Sequence, residues 1–319
     1  MNVMQNVLIF GASGHIGRNL IRKLTKNNYK ITVLTRSIHQ KAYLLKTQGN
    51  AGYIDIVEGS IFDENNLVKL VKNADICINL IGILFEKGKI NNFKNIHISF
   101  PETLSKLCNQ YGVKKLIHLS ALGIDEAKDS KYAQSKLSGE NLIQKNFDHT
   151  VILRPSVVYS VNDNFTTNFM TLLSILPIFP LYYNGRTKFM PIHCSDLTDI
   201  ILAVIEKNIN DKIIECIGPE QITLKEIIQK LLILIKKKRL LLPMPLFIAK
   251  FTSLVFGLFP KPLITIDQLK LLKYDNIKSG KNKTNIDLGL NHLNNFDTEV
   301  EKYCYMWRKR GQFSKKNIN

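Results

Sequence analysis

Cysteine is scarce in this chain and poorly spaced for chemistry. The five are Cys77, Cys108, Cys194, Cys216 and Cys304. An odd number without a CxxC pair argues against a disulfide framework and a structural zinc site, and suits a reducing compartment. No His/Cys/Asp/Glu cluster has metal-ligand spacing, so no metal is expected. A Ser/His/Asp pattern of the hydrolase type is absent as well. Acidic residues are few: 26 Asp plus Glu stand against 44 Lys plus Arg, a formal net charge of +18. Such a balance can mark nucleic acid or an anionic membrane as partner. Here the excess is mostly scattered lysine, with no basic block interleaved with aromatics, so nucleic acid is not expected. The run Arg308, Lys309, Arg310, Lys315, Lys316 reads as a solvated tail.

Long apolar runs are missing too, with one partial exception. Leu240 to Phe259 carries Lys250 as its only charge. Pro243 and Pro245 break it, leaving about 14 helical residues, or roughly 21 Å, where a bilayer core needs roughly 30 Å. No transmembrane helix is expected. Two readings stay open for 240–259: a buried helix, or a surface for peripheral contact with a membrane or an apolar partner. The chain enters an apolar strand within about seven residues, with no charged n-region or cleavage site, so no secretory signal is expected. The expected location is cytoplasmic, with the inner membrane face as the peripheral option.

What is present is a globular composition. Of the 319 residues 45% are apolar and 22% charged, enough for one large or two ordinary domains. Apolar strands are expected at Met4–Phe10, Lys30–Leu34, Tyr53–Val57, Asp75–Ile81, Lys115–Ser120 and Thr150–Arg154. Helical stretches fall between them, among them Asn66–Val71, Phe100–Gln110 and Tyr132–Gln144. This alternation predicts an α/β fold, a doubly wound parallel sheet of the Rossmann type, over residues 1–160. After Pro155 prolines cluster and the strand rhythm fades. Residues 161–319 are expected to form a smaller C-terminal α/β cap domain with segments returning to the sheet. Thr223 and Glu226 form a capping-box pair before the apolar run Ile227–Ile235.

The segment Gly11-Ala12-Ser13-Gly14-His15-Ile16-Gly17 follows the first strand and opens the first helix. In that context the glycine spacing reads as a dinucleotide loop. Gly11 permits the tight turn, Gly14 lets backbone N–H groups approach a pyrophosphate, and Gly17 lets the helix pack on the sheet. His15 either touches a phosphate or is an exposed loop side chain. The second strand ends at Thr35-Arg36-Ser37. An acid there would favour NAD, whereas Arg36 suits a 2′-phosphate, so NADP(H) is expected over NAD(H).

Tyr132 and Lys136 are four apart on an expected helix and share a face. A nearby ammonium lowers a phenol's pKa and makes it a usable acid or base. Ser120, ending the fifth strand, could hold a substrate oxygen. The chain has four Tyr/Lys pairs at this spacing, the others being Tyr111/Lys115, Tyr274/Lys278 and Tyr305/Lys309. Position after the fifth strand, not spacing, singles out Tyr132/Lys136. His118 reads as a satisfied core histidine and Asp196 as a helix cap. Asp63 and Glu64 are expected to start a helix.

Together these residues resemble the extended, atypical short-chain dehydrogenase/reductase superfamily, over nearly the whole chain. The resemblance rests on the glycine loop, Asn79-Leu80-Ile81-Gly82, Ser120-Ala121, Tyr132 with Lys136, Gly139-Glu140 and Arg154-Pro155-Ser156. One subgroup is closer in pattern, through Asn79–Glu86, Pro191–Asp196, Gly218-Pro219-Glu220 and Thr265–Leu269 leading to Asp275-Asn276. It is similar to the nucleotide-binding accessory subunit of respiratory complex I and its bacterial relatives. The resemblance implies cofactor contacts from Gly11, Ser13, Gly14, His15, Ile16, Gly17, Arg36, Ser60, Leu80, Ile81, Gly82, Tyr132, Lys136, Pro155, Ser156 and Val157. It implies Ser120, Tyr132 and Lys136 as the catalytic set. It also implies a tightly held NADP(H) and partners in complex I or quinone biosynthesis. Two departures stand out: Ser60 replaces the usual Asp that contacts the adenine, and Ser160 replaces a usual glycine. Three functions remain open at this stage. They are an accessory or assembly protein, an active NADP-dependent reductase or dehydrogenase, and a sensor of the NADP(H) ratio.

Overall fold

The computed structural model describes residues 4–245, 247, 264–309 and 311. The chain divides into two compact units. The first comprises Met1–Pro155, Cys194–Cys216 and Ser279–Leu290. The second comprises Ser156–His193, Ile217–Lys278 and Asn291–Asn319.

In chain order the first unit opens with β1 (Asn6–Phe10), α1 (His15–Lys26), β2 (Lys30–Thr35), α2 (Ile38–Lys46), β3 (Ile54–Glu58), α3 (Glu64–Lys72) and β4 (Ile76–Asn79). It continues with α4 (Phe100–Gln110), β5 (Lys115–Leu119), α5 (Lys131–Asn146) and β6 (Thr150–Pro155). The second unit begins with β7 (Val158–Tyr159), α6 (Thr166–Ile175), β8 (Ile178–Leu181), β9 (Lys188–Phe189) and β10 (Ile192–His193). The chain then returns to the first unit for α7 (Cys194–Glu206) and β11 (Ile213–Cys216). Next come β12 (Ile222–Thr223), α8 (Leu224–Leu234), β13 (Leu240–Pro243) and α9 (Ile266–Leu271) in the second unit. Last are β14 (Lys283–Thr284) in the first unit and α10 (Phe296–Cys304) in the second.

The first unit is built on one eight-stranded sheet of order β14-β11-β6-β5-β4-β1-β2-β3. Every neighbouring pair in it is parallel. The six strands expected from apolar runs all form. Val7, Leu8, Ile9 and Phe10 are fully buried, as a parallel strand covered on both faces must be. Phe10 meets Phe100 of α4 edge-on at 5.1 Å, in a cluster with Leu8, Leu67, Leu104 and Cys108. β11 and β14 were not expected individually; they extend the sheet beyond β6. The chain order reverses between β1 and β4, which sets a crevice at their carboxyl ends, where open α/β sheets take ligands. Helix α7 lies against α1, where Lys23 Nζ donates to the Ser195 carbonyl at 2.8 Å and pairs with Asp199. Buried Lys115 of β5 donates to Val204 O, Asn208 Oδ1 and Ile209 O, at 2.9–3.1 Å, at the C-terminal end of α7. A cation there satisfies orphan carbonyls and opposes the helix dipole.

The second unit packs around Tyr159, Met170, Leu173, Ile227, Leu231 and Phe296. Its strands pair as short ribbons, β7 with β10, β8 with β13 and β9 with β12. Thr223 and Glu226 form the expected capping box at α8. Asp63 caps α3 by accepting from Asn66 N. Asp196 is buried and acidic in the first turn of α7. Of the apolar stretch 240–259, β13 and residues 244, 245 and 247 are described. The remainder, and with it the choice between buried helix and docking surface, lies outside the described residues. Among the described residues no helix is long and apolar enough to cross a membrane.

Candidate functional site

The glycine loop sits at the carboxyl end of β1. Gly11 has φ +81°, and a Cβ there would lie 3.1 Å from Leu80 C and 3.2 Å from Ile81 N. Glycine is therefore required twice, by conformation and by the close passage of the β4 exit. Gly14 N closes the turn on Gly11 O at 3.1 Å. A Cβ on Gly17 would fall 2.4 Å from Ala12 Cα, so α1 meets the loop backbone directly. Gly14 is the N-cap of α1, with no side-chain cap and no acid in the first turn. Half-buried Ser13, His15 and Ile16 flank it. The helix thus presents a positive end that no side chain of its own covers, which fits a pyrophosphate.

Arg36 directly follows β2 and is exposed. Its Nη1 lies 3.5 Å from Asn91 Oδ1, and among the described residues it forms no ion pair. Sequence reasoning missed Glu58 on neighbouring β3, which stands opposite Thr35. Its carboxylate accepts from Ile38 N at 3.2 Å, and so caps α2, whose own Ser37 does not. Ser60 is spent locally: its Oγ accepts from Phe62 N at 3.2 Å.

At the end of β4, Asn79 Oδ1 accepts from Ile81 N at 3.0 Å, which shapes the Leu80-Ile81-Gly82 exit. Leu80 N donates to Phe10 O at 3.0 Å. Gly82 has its space limited by Lys136: a Cβ there would lie 3.2 Å from Nζ. Lys136 is buried and donates to the Leu119 carbonyl at 3.0 Å. The neighbouring Ser120 is also buried, and its hydroxyl has no hydrogen-bond partner among the described residues. Tyr132 lies one turn before Lys136 on α5, whose N-cap Ser130 accepts from Ala133 N at 3.2 Å. Its ring stands edge-on to His97 at 5.4 Å and to Phe93 at 6.0 Å.

The electrostatics differ from the expectation. Burial pushes the Tyr132 phenol up to about 12 rather than Lys136 drawing it down. Burial also pulls Lys136 down to about 8, with Glu140 acting in the opposite direction. The sequence expectation counted the ammonium's field but not the loss of water, which disfavours the charged form of both groups. His118 is only half satisfied. Its Nδ1 meets Asn79 Nδ2 at 3.1 Å, while Nε2 is buried without a partner among the described residues. Burial, and then Lys136, push its pKa well down.

Pro155 ends the first unit, and its carbonyl accepts from Leu122 N at 2.9 Å. Ser156 and Val157 open the second unit. Asn276 Oδ1 accepts from Ser156 Oγ at 2.6 Å and from Val157 N at 3.2 Å. The Ser156 hydroxyl is thereby engaged with its own unit. Among the described residues no group of three His, Cys, Asp or Glu is placed to hold a metal.

Residues 7–216 match the NAD dependent epimerase/dehydratase family. The chain is 25% identical to the mitochondrial NADH dehydrogenase (ubiquinone) 1 alpha subcomplex subunit 9 of Mus musculus, over 84% of this chain and 72% of that protein. It is 25% identical to the mitochondrial NADH-ubiquinone oxidoreductase 40 kDa subunit of Neurospora crassa, over 88% and 74% of the two chains. Among solved structures it is similar to the dTDP-glucose 4,6-dehydratase DesIV of Streptomyces venezuelae, solved with NAD bound. The TM-score is 0.71, at 17% identity, over 95% of this chain and 96% of that one. The family match covers more than half of the sequence. The chain belongs to the NAD dependent epimerase/dehydratase family, the extended short-chain dehydrogenase/reductases.

Proposed function

We propose that this protein holds NADP(H) tightly and acts as an accessory or assembly protein of respiratory complex I or of the quinone machinery. The observation that supports this reading is the loop between β1 and α1: glycine is required at Gly11 and Gly17, and the N-terminus of α1 carries neither a side-chain cap nor an acid, as a phosphate site needs. Gly11, Gly14 and Gly17 with Ser13, His15 and Ile16 would grip the pyrophosphate, and Arg36 the 2′-phosphate. Ser60 would stand by the adenine. Leu80, Ile81, Gly82, Lys136 and Pro155 would line the nicotinamide half. The similarity to a mitochondrial NADH dehydrogenase (ubiquinone) subunit and a mitochondrial NADH-ubiquinone oxidoreductase subunit supports the choice of partner. Peripheral contact with the inner membrane through 240–259 belongs to the same proposal. The test is purification without added nucleotide, from membranes and from the soluble fraction. Stoichiometric reduced NADP that survives dialysis, and co-purification with a respiratory or quinone-synthesis partner, are expected. Protein that emerges empty, and never accompanies such a partner, would remove the reading.

A working reductase or dehydrogenase is the second reading, favoured by the buried, partnerless hydroxyl of Ser120. Such an atom is costly to bury unless a ligand oxygen completes it. Bound nicotinamide supplies or accepts hydride. In this reading Ser120 orients the substrate carbonyl, Tyr132 moves the proton, and Lys136 holds a ribose hydroxyl and stabilises the phenolate. Tyr132→Phe should then abolish turnover and keep nucleotide binding. Turnover that persists in this variant would exclude the tyrosine from the chemistry. A sensor of the NADP(H) ratio would use the same cradle, and no separate feature favours it.

A further inference from the structure

Residues Lys94–Ser99, directly before α4, wind as a π-helix. Such turns give up regular helical bonding, occur mostly as single turns and are frequent at functional sites. Its buried side chains are Ile96 and His97, and the polar one, His97, is 1% exposed. Its ring bridges two separate segments. Nε2 lies 3.1 Å from Ile83 N, in the loop after β4, and Nδ1 lies 2.8 Å from Ser135 Oγ on α5.

The proton positions follow from the partners. An amide N–H can only donate, so Nε2 accepts and the ring proton is on Nδ1. Nδ1–H then donates to Ser135 Oγ, and that hydroxyl donates on to the Tyr132 carbonyl at 2.7 Å. Only the neutral imidazole can make both bonds. Burial, and then the charges of Lys136 and His118, hold its pKa down to about 2. Phe93 stacks on the ring at 5.3 Å. The backbone is shaped for this contact as well, since a Cβ on Gly139 of α5 would fall 2.0 Å from the His97 carbonyl oxygen. Gly82, beside Ile83, leaves only enough room for Lys136 Nζ and His97 Nε2, at 3.2 and 3.9 Å from its Cβ position.

We propose that His97 is a positioning residue whose neutral imidazole ties Ile83 to Ser135, and so sets the gap between Gly82 and the Tyr132/Lys136 face for the nicotinamide end of the nucleotide. This rests on the reading above that the nucleotide binds along the β1–β4 crevice. Among the described residues the bridge's hydrogen bonds run to Ile83, Ser135 and the Tyr132 carbonyl, and not to the glycine loop or Arg36, so its effect belongs to one end of the ligand. Leucine at position 97 would fill the space but leave Ile83 N–H and Ser135 unbridged.

The experiment compares two ligands on the full chain: NADPH, and 2′-phospho-ADP-ribose, which lacks the nicotinamide. Dissociation constants are measured by calorimetry for the wild type, His97→Leu, His97→Asn, Ser135→Ala and His97→Leu/Ser135→Ala. His97→Leu should weaken NADPH about tenfold while 2′-phospho-ADP-ribose changes by less than about twofold. His97→Asn keeps a donor near the Nδ1 position and should recover part of the loss. The double variant should be no worse than His97→Leu, because both changes cut one bridge. If His97→Leu fails to fold, Ser135→Ala carries the same two-ligand comparison. Unchanged NADPH affinity overturns the inference, and so does an equal loss for both ligands, which would mark a general stabilising role. A wild type that binds neither ligand removes the nucleotide reading itself, and the inference with it.

Discussion

Arg154 and Glu140 are locked together in the interior of the first unit. Arg154 Nε lies 3.0 and 3.2 Å from the two Glu140 oxygens, and Nη2 lies 2.6 Å from Oε2. Both side chains are buried, and the guanidinium also reaches Asp125, at 2.5 and 3.3 Å. Burial alone would lower the Arg154 pKa, but the two carboxylates raise it further, so the charge stays on. The pair clamps α5 to β6 and thereby holds the helix that carries Tyr132 and Lys136. Arg154→Met would leave Glu140 buried and uncompensated, at a cost of about 3–5 kcal/mol. The Arg154→Met/Glu140→Leu double variant should recover much of that loss. Urea unfolding of the three proteins checks this; a double variant weaker than Arg154→Met would contradict it.

Lys136 makes stability depend on pH in a defined direction. Its native pKa is about 8, against an ordinary 10.5. Below about pH 8 both states carry the charge, and the native state bears the full penalty of burying it. Between about 8 and 10.5 the unfolded chain holds a proton that the native state lacks, so stability rises with pH there. Lys136→Met should remove this rise, which amounts to about 3 kcal/mol across the window. Unfolding curves of the nucleotide-free proteins at pH 7, 9 and 10.5 measure the difference, which vanishes if Lys136 does not titrate in that range.

Gly17 should tolerate no side chain. In Gly17→Ala the new Cβ would lie 2.4 Å from Ala12 Cα and 2.5 Å from its carbonyl oxygen, and both are backbone atoms that cannot swing aside. Overpacking of this kind costs about 1–3 kcal/mol and here displaces the loop against α1. A lower melting temperature with weaker nucleotide binding is expected, whereas wild-type values for both would show that the loop has room.

Arg36 should decide between the two nucleotides. Removing a charge-assisted contact to a 2′-phosphate in Arg36→Ala should weaken NADPH by about 10–100-fold and leave NADH nearly unchanged. The guanidinium is exposed and, among the described residues, its hydrogen bond is to the Asn91 amide, so the fold should not notice the change. Equal affinities of the wild type for NADPH and NADH would defeat this assignment.

Bound nucleotide should also stabilise the chain. Ligand that binds only the native state adds about 2.7 kcal/mol when its free concentration is about 100 times Kd. A thermal midpoint that rises with added NADPH is the expected result, and one that does not respond would argue against specific binding.

Much of this architecture is written locally in the chain. Continuous apolar runs such as Val7–Phe10 announce strands buried on both faces, and glycines at 11, 14 and 17 mark the turn into α1 without reference to anything distant. The capping box at Thr223 and Glu226 is equally local. What the tertiary structure decided are the partners that lie far apart in sequence. β11 and β14 are short, of four and two residues, and become strands only because β6 offers an edge to β11, and β11 in turn to β14. The upward push on the Tyr132 phenol comes from burial among segments distant in sequence, which spacing alone cannot express. His97 carries no recognisable motif; its meaning arises only where a π turn brings its ring between Ile83 and Ser135. The Tyr132/Lys136 spacing was visible in the sequence, but the environment that sets their protons came from packing, because desolvation is a property of the folded volume.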